Sequence, residues 1–185
     1  MNIYTLVRKA ARDSILTTLP EFFPTSVEQN AGVIFSHNNG AEPSIPYVVI
    51  NILSIEQQGH HSTSPLSNID EEIVSSAFYE VMVQYSFCGS SAGDMAQSFS
   101  HRVSNNPLVS MEQQRNKLAF MRKSTVRRAP QKRDTTWVEN FNIDITYNYV
   151  LNEVVTVDIV EGVVLTTDID GIEELVKIPE TIIYP

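Results

Sequence analysis

The sequence predicts an α+β fold: a mixed, mainly antiparallel sheet with two or three helices packed on one face, long hairpins and terminal arms. Three observations predict it. From Thr135 to Leu151 the odd positions, beginning at Trp137, are apolar except for Glu139, and their even neighbours are mainly polar, which is the period of a strand with one buried and one wet face. From Phe78 to Phe87 the residues Tyr79, Val81, Val83, Tyr85 and Phe87 alternate in the same way. Apolar residues at helical spacing recur over 2–19 and 91–104, so strands and helices interleave along the chain.

The elements follow in order. Ile3, Leu6, Val7, Ala10 and Ser14 form one stripe of a first helix, with Arg8, Lys9, Arg12 and Asp13 on its other side and Pro20 as its stop. A segment with Pro20, Pro24, Gly32, Gly40, Pro43 and Pro46 follows, and within it Val33 to Phe35 suits a short strand. Residues 47–57, YVVINILSIEQ, are β-branched and apolar nearly throughout and predict a strand covered on both faces. The next stretch, QGHHSTSPLSNIDEE, holds Gly59, Pro65 and small polar residues and predicts a long hairpin loop. After the strand 78–87, Ala92, Ala96, Phe99 and Val103 predict a helix capped by Ser90 or Ser91, and SMEQQRNKL a short helical turn. Leu118 to Val126 and the long strand from Thr135 predict a hairpin with 127–134 at its tip. TVDIVEGVVLTTDI supplies one or two further strands.

A chain of 185 residues fits one domain, placed at 1–165, with 166–185 as a C-terminal arm. It needs neither disulfide nor metal for stability. Cys88 is the sole cysteine, the usage of a reducing compartment. Arg8, Lys9 and Arg12 interrupt the apolar core a signal peptide would need, and no apolar run approaches the roughly 20 residues of a bilayer span, so a soluble protein without membrane contact is expected.

Charge is the strongest functional signal. Of 13 Lys and Arg, eight lie within 115–133, RNKLAFMRKSTVRRAPQKR, leaving five cations against 22 carboxylates, −17, on the rest. A positive island on a negative body is an oriented field that steers a partner. A nucleic-acid module using this hairpin is one reading, but only Phe120 interleaves for stacking and the acidic remainder repels phosphate. A solvated hairpin with partly paired charges is the plainest reading. An acidic protein surface, including another copy of the chain, is the partner that the charge split favours, since such a chain is self-complementary head to tail. Arg122, Lys123, Arg127, Arg128, Lys132 and Arg133 are the candidate interface or channel-facing residues.

No motif supports catalysis, a cofactor or a metal. His60 and His61, with Asp70, Glu71 and Glu72 downstream, lack ligand spacing and read as solvated loop residues. Cys88 and His101 flank a turn, CGSSAGD, without the G-x-S-x-G elbow, so a small buried thiol is expected. Gly89, Ser90, Ser91 and Gly93 precede a helix but lack the lysine of a phosphate loop.

The order of motifs over 45–165, namely IPYVVINIL, a polar loop with glycine, FYEVMVQYSFCGSSAGDMAQSFSHRV and a basic hairpin leading into DTTWVENFNIDITYNY, resembles the tail or neck terminator proteins of tailed bacteriophages. The resemblance implies a structural, non-enzymatic virion protein of the tail or neck, assembled in the host cytoplasm. It implies a homohexameric ring that caps the tail tube, ends its polymerisation and forms the joint to the head-tail connector. Its partners would be its own copies, the tail tube protein and the connector or neck protein, with non-specific proximity to DNA in the channel. On this resemblance Trp137 would be the structural anchor of the long strand, and the basic tip would lie at a subunit or neck interface.

Overall fold

The computed structural model describes residues 2–37, 43–44, 46–65, 72–133, 136–156, 168–169 and 172–173. The chain divides into two compact units, one of residues 1–62 and 76–152, the other of 63–75 and 153–185.

In chain order the elements are α1 (Ile3–Thr18), α2 (Ser26–Gly32), β1 (Val33–Phe35), β2 (Tyr47–Pro65), β3 (Glu72–Cys88), α3 (Ala92–Asn105), α4 (Pro107–Arg115), β4 (Leu118–Lys123), β5 (Arg127–Arg128), β6 (Gln131–Arg133), β7 (Thr136–Val138), β8 (Asn140–Thr156), β9 (Asp168–Ile169) and β10 (Ile172–Glu173). The fold is α+β with a mixed, mostly antiparallel sheet. The main sheet runs β1-β2-β3-β8-β4, and β5 also pairs with β8. β1 lies parallel to β2, Val33 beside Val48, while β4 and β5 run antiparallel to β8. β6 and β7 form a separate antiparallel ribbon. In the second unit β9 and β10 pair with Ile172 opposite Ile169 and Glu173 opposite Asp168; of the expected arm 166–185, these strands are the described part.

Alternation decides the core. Val81, Val83, Tyr85 and Phe87 of β3 and Ile143, Ile145, Tyr147 and Tyr149 of β8 are buried, all odd-numbered, with Val48 and Ile50 of β2. Val7, Ala10, Ala11 and Ile15 of α1 and Met95, Ala96, Phe99 and Val103 of α3 cover them. Phe99 is the hinge of this packing, 4.7 Å from the Tyr85 ring and 5.6 Å from that of Phe87.

Local chemistry sets the helix ends. Asn2 accepts from the backbone N–H of Tyr4 to start α1, and Arg102 donates to the carbonyl of Thr18 and to Glu21 at its end. α2 was not anticipated, although its sequence carries a capping box: Thr25 accepts from the N–H of Glu28, whose carboxylate accepts from that of Thr25. α3 corrects the expected serine cap, because Ser91 stands at its N-cap without a side-chain hydrogen bond. Gly89 instead shapes the entry, at φ +114, with its N–H on the carbonyl of Glu139.

The stretch expected as a long loop from Gln58 onward is strand as far as Pro65, and β3 resumes at Glu72. Side chains 56–63 are exposed, so burial, the signal that pattern reading uses, is missing there, and strand pairing alone sustains the extended chain. Gly59 at φ +71 takes the local irregularity.

At the end of α4, Lys117 holds φ +58, a left-handed backbone that costs a side-chain-bearing residue about 1–2 kcal/mol. Replacing Lys117 by glycine should raise stability by up to about 1 kcal/mol in chemical denaturation, the relief being partly offset by unfolded-state entropy. A fall in stability would show that the lysine side chain holds the turn.

Beneath the helices lies a buried polar cluster. The hydroxyls of Tyr85 and Tyr147 are 3.1 Å apart, and Gln113 of α4 donates to Ser14 Oγ of α1 at 3.5 Å and to the carbonyl of Val103 at 3.4 Å. Burial raises both tyrosines: Tyr147 is pushed up to about 12, and Tyr85 well above the usual value. Both raised values belong to the folded chain, so their contribution is complete below the unfolded value near 10 and falls as pH rises toward 12. Denaturation series at pH 9, 10 and 11 should lose stability above pH 10 by about 1.4 kcal/mol per unit for each tyrosine. A flat profile to pH 11 would contradict it.

Candidate functional site

The cations of 115–133 do not form one face. β4 pairs regularly with β8 through Leu118 opposite Tyr149 and Phe120 opposite Tyr147; then a bulge between Phe120 and Arg122 moves the register by one. Without it Arg122 would stand against core-facing Ile145. With it Arg122 is opposite Thr146 on the other face of the sheet, and Lys123 takes the place beside Ile145.

Arg115, Arg122, Arg127 and Arg128 then each meet a carboxylate. Arg122 lies 2.8 Å from Glu80 of β3 and 3.2 Å from Thr146 Oγ1. Arg127, opposite Asn142, pairs with Asp144, which also accepts from Gln84 at 3.0 Å and whose backbone is bridged by Ser124. Arg128 is 2.8 Å from Glu139, and Arg115 3.4 Å from Glu112. Such surface pairs contribute at most about 1 kcal/mol each to stability. Their consequence is electrostatic, because four of the eight cations are neutralised within the fold. Lys123 turns toward α3, where its ammonium donates to the carbonyl of Ser100.

Arg127 and Arg128 therefore belong to the sheet edge, and the hairpin tip expected at 127–134 starts only with the β6–β7 ribbon. There Lys132 stands directly opposite Trp137 and Arg133 opposite Thr136. Lys132 is exposed and makes no ion pair with the described residues. Trp137 is 66% exposed, which corrects its expected role as anchor of the long strand. The regular run breaks at Glu139 between β7 and β8, so Trp137 belongs to the ribbon, and Ile143, Ile145, Tyr147 and Tyr149 hold β8 to the core. Composition could not reveal this, since a tryptophan on an alternating strand normally marks its buried face.

The weaker candidates are dispersed. His60 and His61 are consecutive on β2 and so point to opposite faces; Asp70 and Glu71 lie outside the described residues. Cys88 is buried, burial raises its pKa, and the Tyr47 hydroxyl is its side-chain partner. That holds it as an unreactive thiol. His101 sits on the exposed side of α3.

The described site is therefore a sheet whose core-facing side is closed by helices, with four internally paired arginines and a ribbon that presents an aromatic and a lysine to solvent. A family model described as phage neck terminator protein matches residues 2–176, and the chain belongs to that family. This gives it a structural role in the virion, at the tail or neck, among other phage proteins. No curated protein matches the chain.

Proposed function

We propose that the chain assembles as a homohexameric ring on the end of the tail tube, stops its polymerisation and presents the docking face for the head-tail connector. The match across nearly the whole chain carries this reading. The mechanism is steric and electrostatic: a ring seated on the terminal tube subunits occupies the surface to which the next would add. The protein performs no catalysis in this role. Residues 1–165 form the terminator body and 166–185 a C-terminal arm. Among the candidate cations, Lys132 and Arg133 face the interface, whereas Arg122, Arg127 and Arg128 set the sheet edge from which the ribbon departs. The same pairing disfavours the nucleic-acid reading, since few cations remain for phosphate, and DNA in the channel is met only in passing.

Native mass measurement should give a six-subunit species, alone or on tube ends, and adding the protein to polymerising tube protein should shorten the tubes seen by electron microscopy. Unchanged tube length at saturating protein would overturn the capping mechanism. Strong DNA affinity falling steeply with salt, from a protein that stays monomeric, would favour the nucleic-acid module.

A further inference from the structure

Four arginines of the basic stretch are paired inside the fold, whereas the cations of α1 are engaged differently. Arg8 and Arg12 stand one turn apart on α1 with Lys9 beside Arg8, and none of the three makes an ion pair with the described residues. Arg12 is spent on neutral acceptors of α2, the Gln29 carbonyl at 3.1 Å and Asn30 Oδ1 at 2.6 Å. Lys9 has Asp13 one turn further along. Arg8 has neither: its neighbours three and four residues away are Tyr4, Thr5, Ala11 and Arg12, none of them a carboxylate. Its guanidinium carbon lies 4.0 Å from the centre of the Phe35 ring of β1 and 5.7 Å from that of Tyr4, and among the described residues it has no hydrogen-bond acceptor. The two rings hold the guanidinium plane and leave its five N–H donors to water.

We infer that Arg8, stacked on Phe35 and flanked by Tyr4, is the binding point for a carboxylate on an acidic segment of another virion protein. A guanidinium already held in plane loses little freedom on binding, and its fork meets a carboxylate with two parallel hydrogen bonds. Tyr4, 48% exposed, adds apolar area beside it, and arginine with tyrosine is the pairing in which contact energy concentrates. A DNA backbone fits less well. It is gripped through several phosphates, whereas Arg12 is already engaged here and the net charge of −9 repels a polyanion. Nor does the ribbon of the next copy fit, since it brings Lys132 and Arg133, like charges to Arg8. β1 ends the main sheet on the side opposite β4, so Phe35 and Arg8 offer a chain that joins tail to head a surface apart from the β4 edge. The inference rests on the docking role proposed for the chain and not on the ring.

The test adds purified full-length protein to a lysate of cells infected by phage that lack it and counts infectious particles. Arg8→Glu should lower the yield at least about tenfold against wild type, and Arg8→Gln, which keeps an uncharged stem over Phe35, should lower it less. Both should sediment as the wild type does and melt within about 2 °C of it. Wild-type yields with both variants would overturn the site. Yields that fall only in step with melting temperature would also overturn it, making Arg8 a packing residue between α1 and β1. Self-association lost in Arg8→Glu would put a second copy on Arg8, and duplex DNA bound by the wild type and released by Arg8→Glu would put a phosphate there; either result would overturn the carboxylate of another protein. Full infectivity without added protein would overturn the docking role itself, whereas a monomeric wild type would overturn the ring alone.

Discussion

Phe99→Ala is expected to lower folding stability by about 3–5 kcal/mol, the largest effect of any single truncation considered for this chain. Phe99 is fully buried on α3 and its ring touches two aromatic rings of β3, Tyr85 at 4.7 Å and Phe87 at 5.6 Å. Those neighbours are themselves fully buried, and Tyr85 is held by Tyr147, so they cannot collapse readily into the cavity. The loss therefore combines transfer free energy, the cavity and the tilted ring contacts. At about 2–4 °C per kcal/mol for a chain of this size, the melting temperature should fall by about 6–20 °C. A fall under 2 °C would mean that helix α3 does not close the core against β3.

Trp137→Ala should do the opposite. Since two-thirds of the side chain is in water and it lies outside the core cluster, the melting temperature should barely move, within about 0.5 kcal/mol of stability. Assembly should weaken by at least about thirtyfold, the loss of one interface hot spot of about 2 kcal/mol. Sedimentation at matched concentration and salt measures it. Loss of thermal stability comparable to that of Phe99→Ala would restore Trp137 as an internal anchor. Together the two aromatics separate folding from assembly: one is required for the body, the other for the contact.

Much of the body was legible before any coordinates. The odd positions of 143–149, the stripe of α1, the short strand at 33–35 and the helix after Gly89 follow from periodicity, which reports the side facing the core. The capping box at Thr25 and Glu28 is a local signal of the same kind, set between Pro24 and the glycine that ends its short helix. The continuation of β2 through Gln58–Pro65 has no comparable signal. Its side chains from 56 to 63 face water, and a sequence without a buried face has no period to read.

The cations divide on the same line. Their number and clustering, and the excess of acid elsewhere, are properties of the sequence alone, and so is the order of motifs that relates the chain to the neck terminators. Which cations remain available was decided by tertiary structure. Glu80 is 42 residues from Arg122 and Asp144 is 17 from Arg127, separations at which no local rule pairs charges. A one-residue bulge before Arg122 selects the face on which it meets Glu80, and the break at Glu139 separates Trp137 from the buried side of β8. Periodicity is local and additive along the chain, so it can be read from residues in sequence. The register of a strand against its partner is a single choice shared by all its residues, and one inserted residue reverses every side chain beyond it.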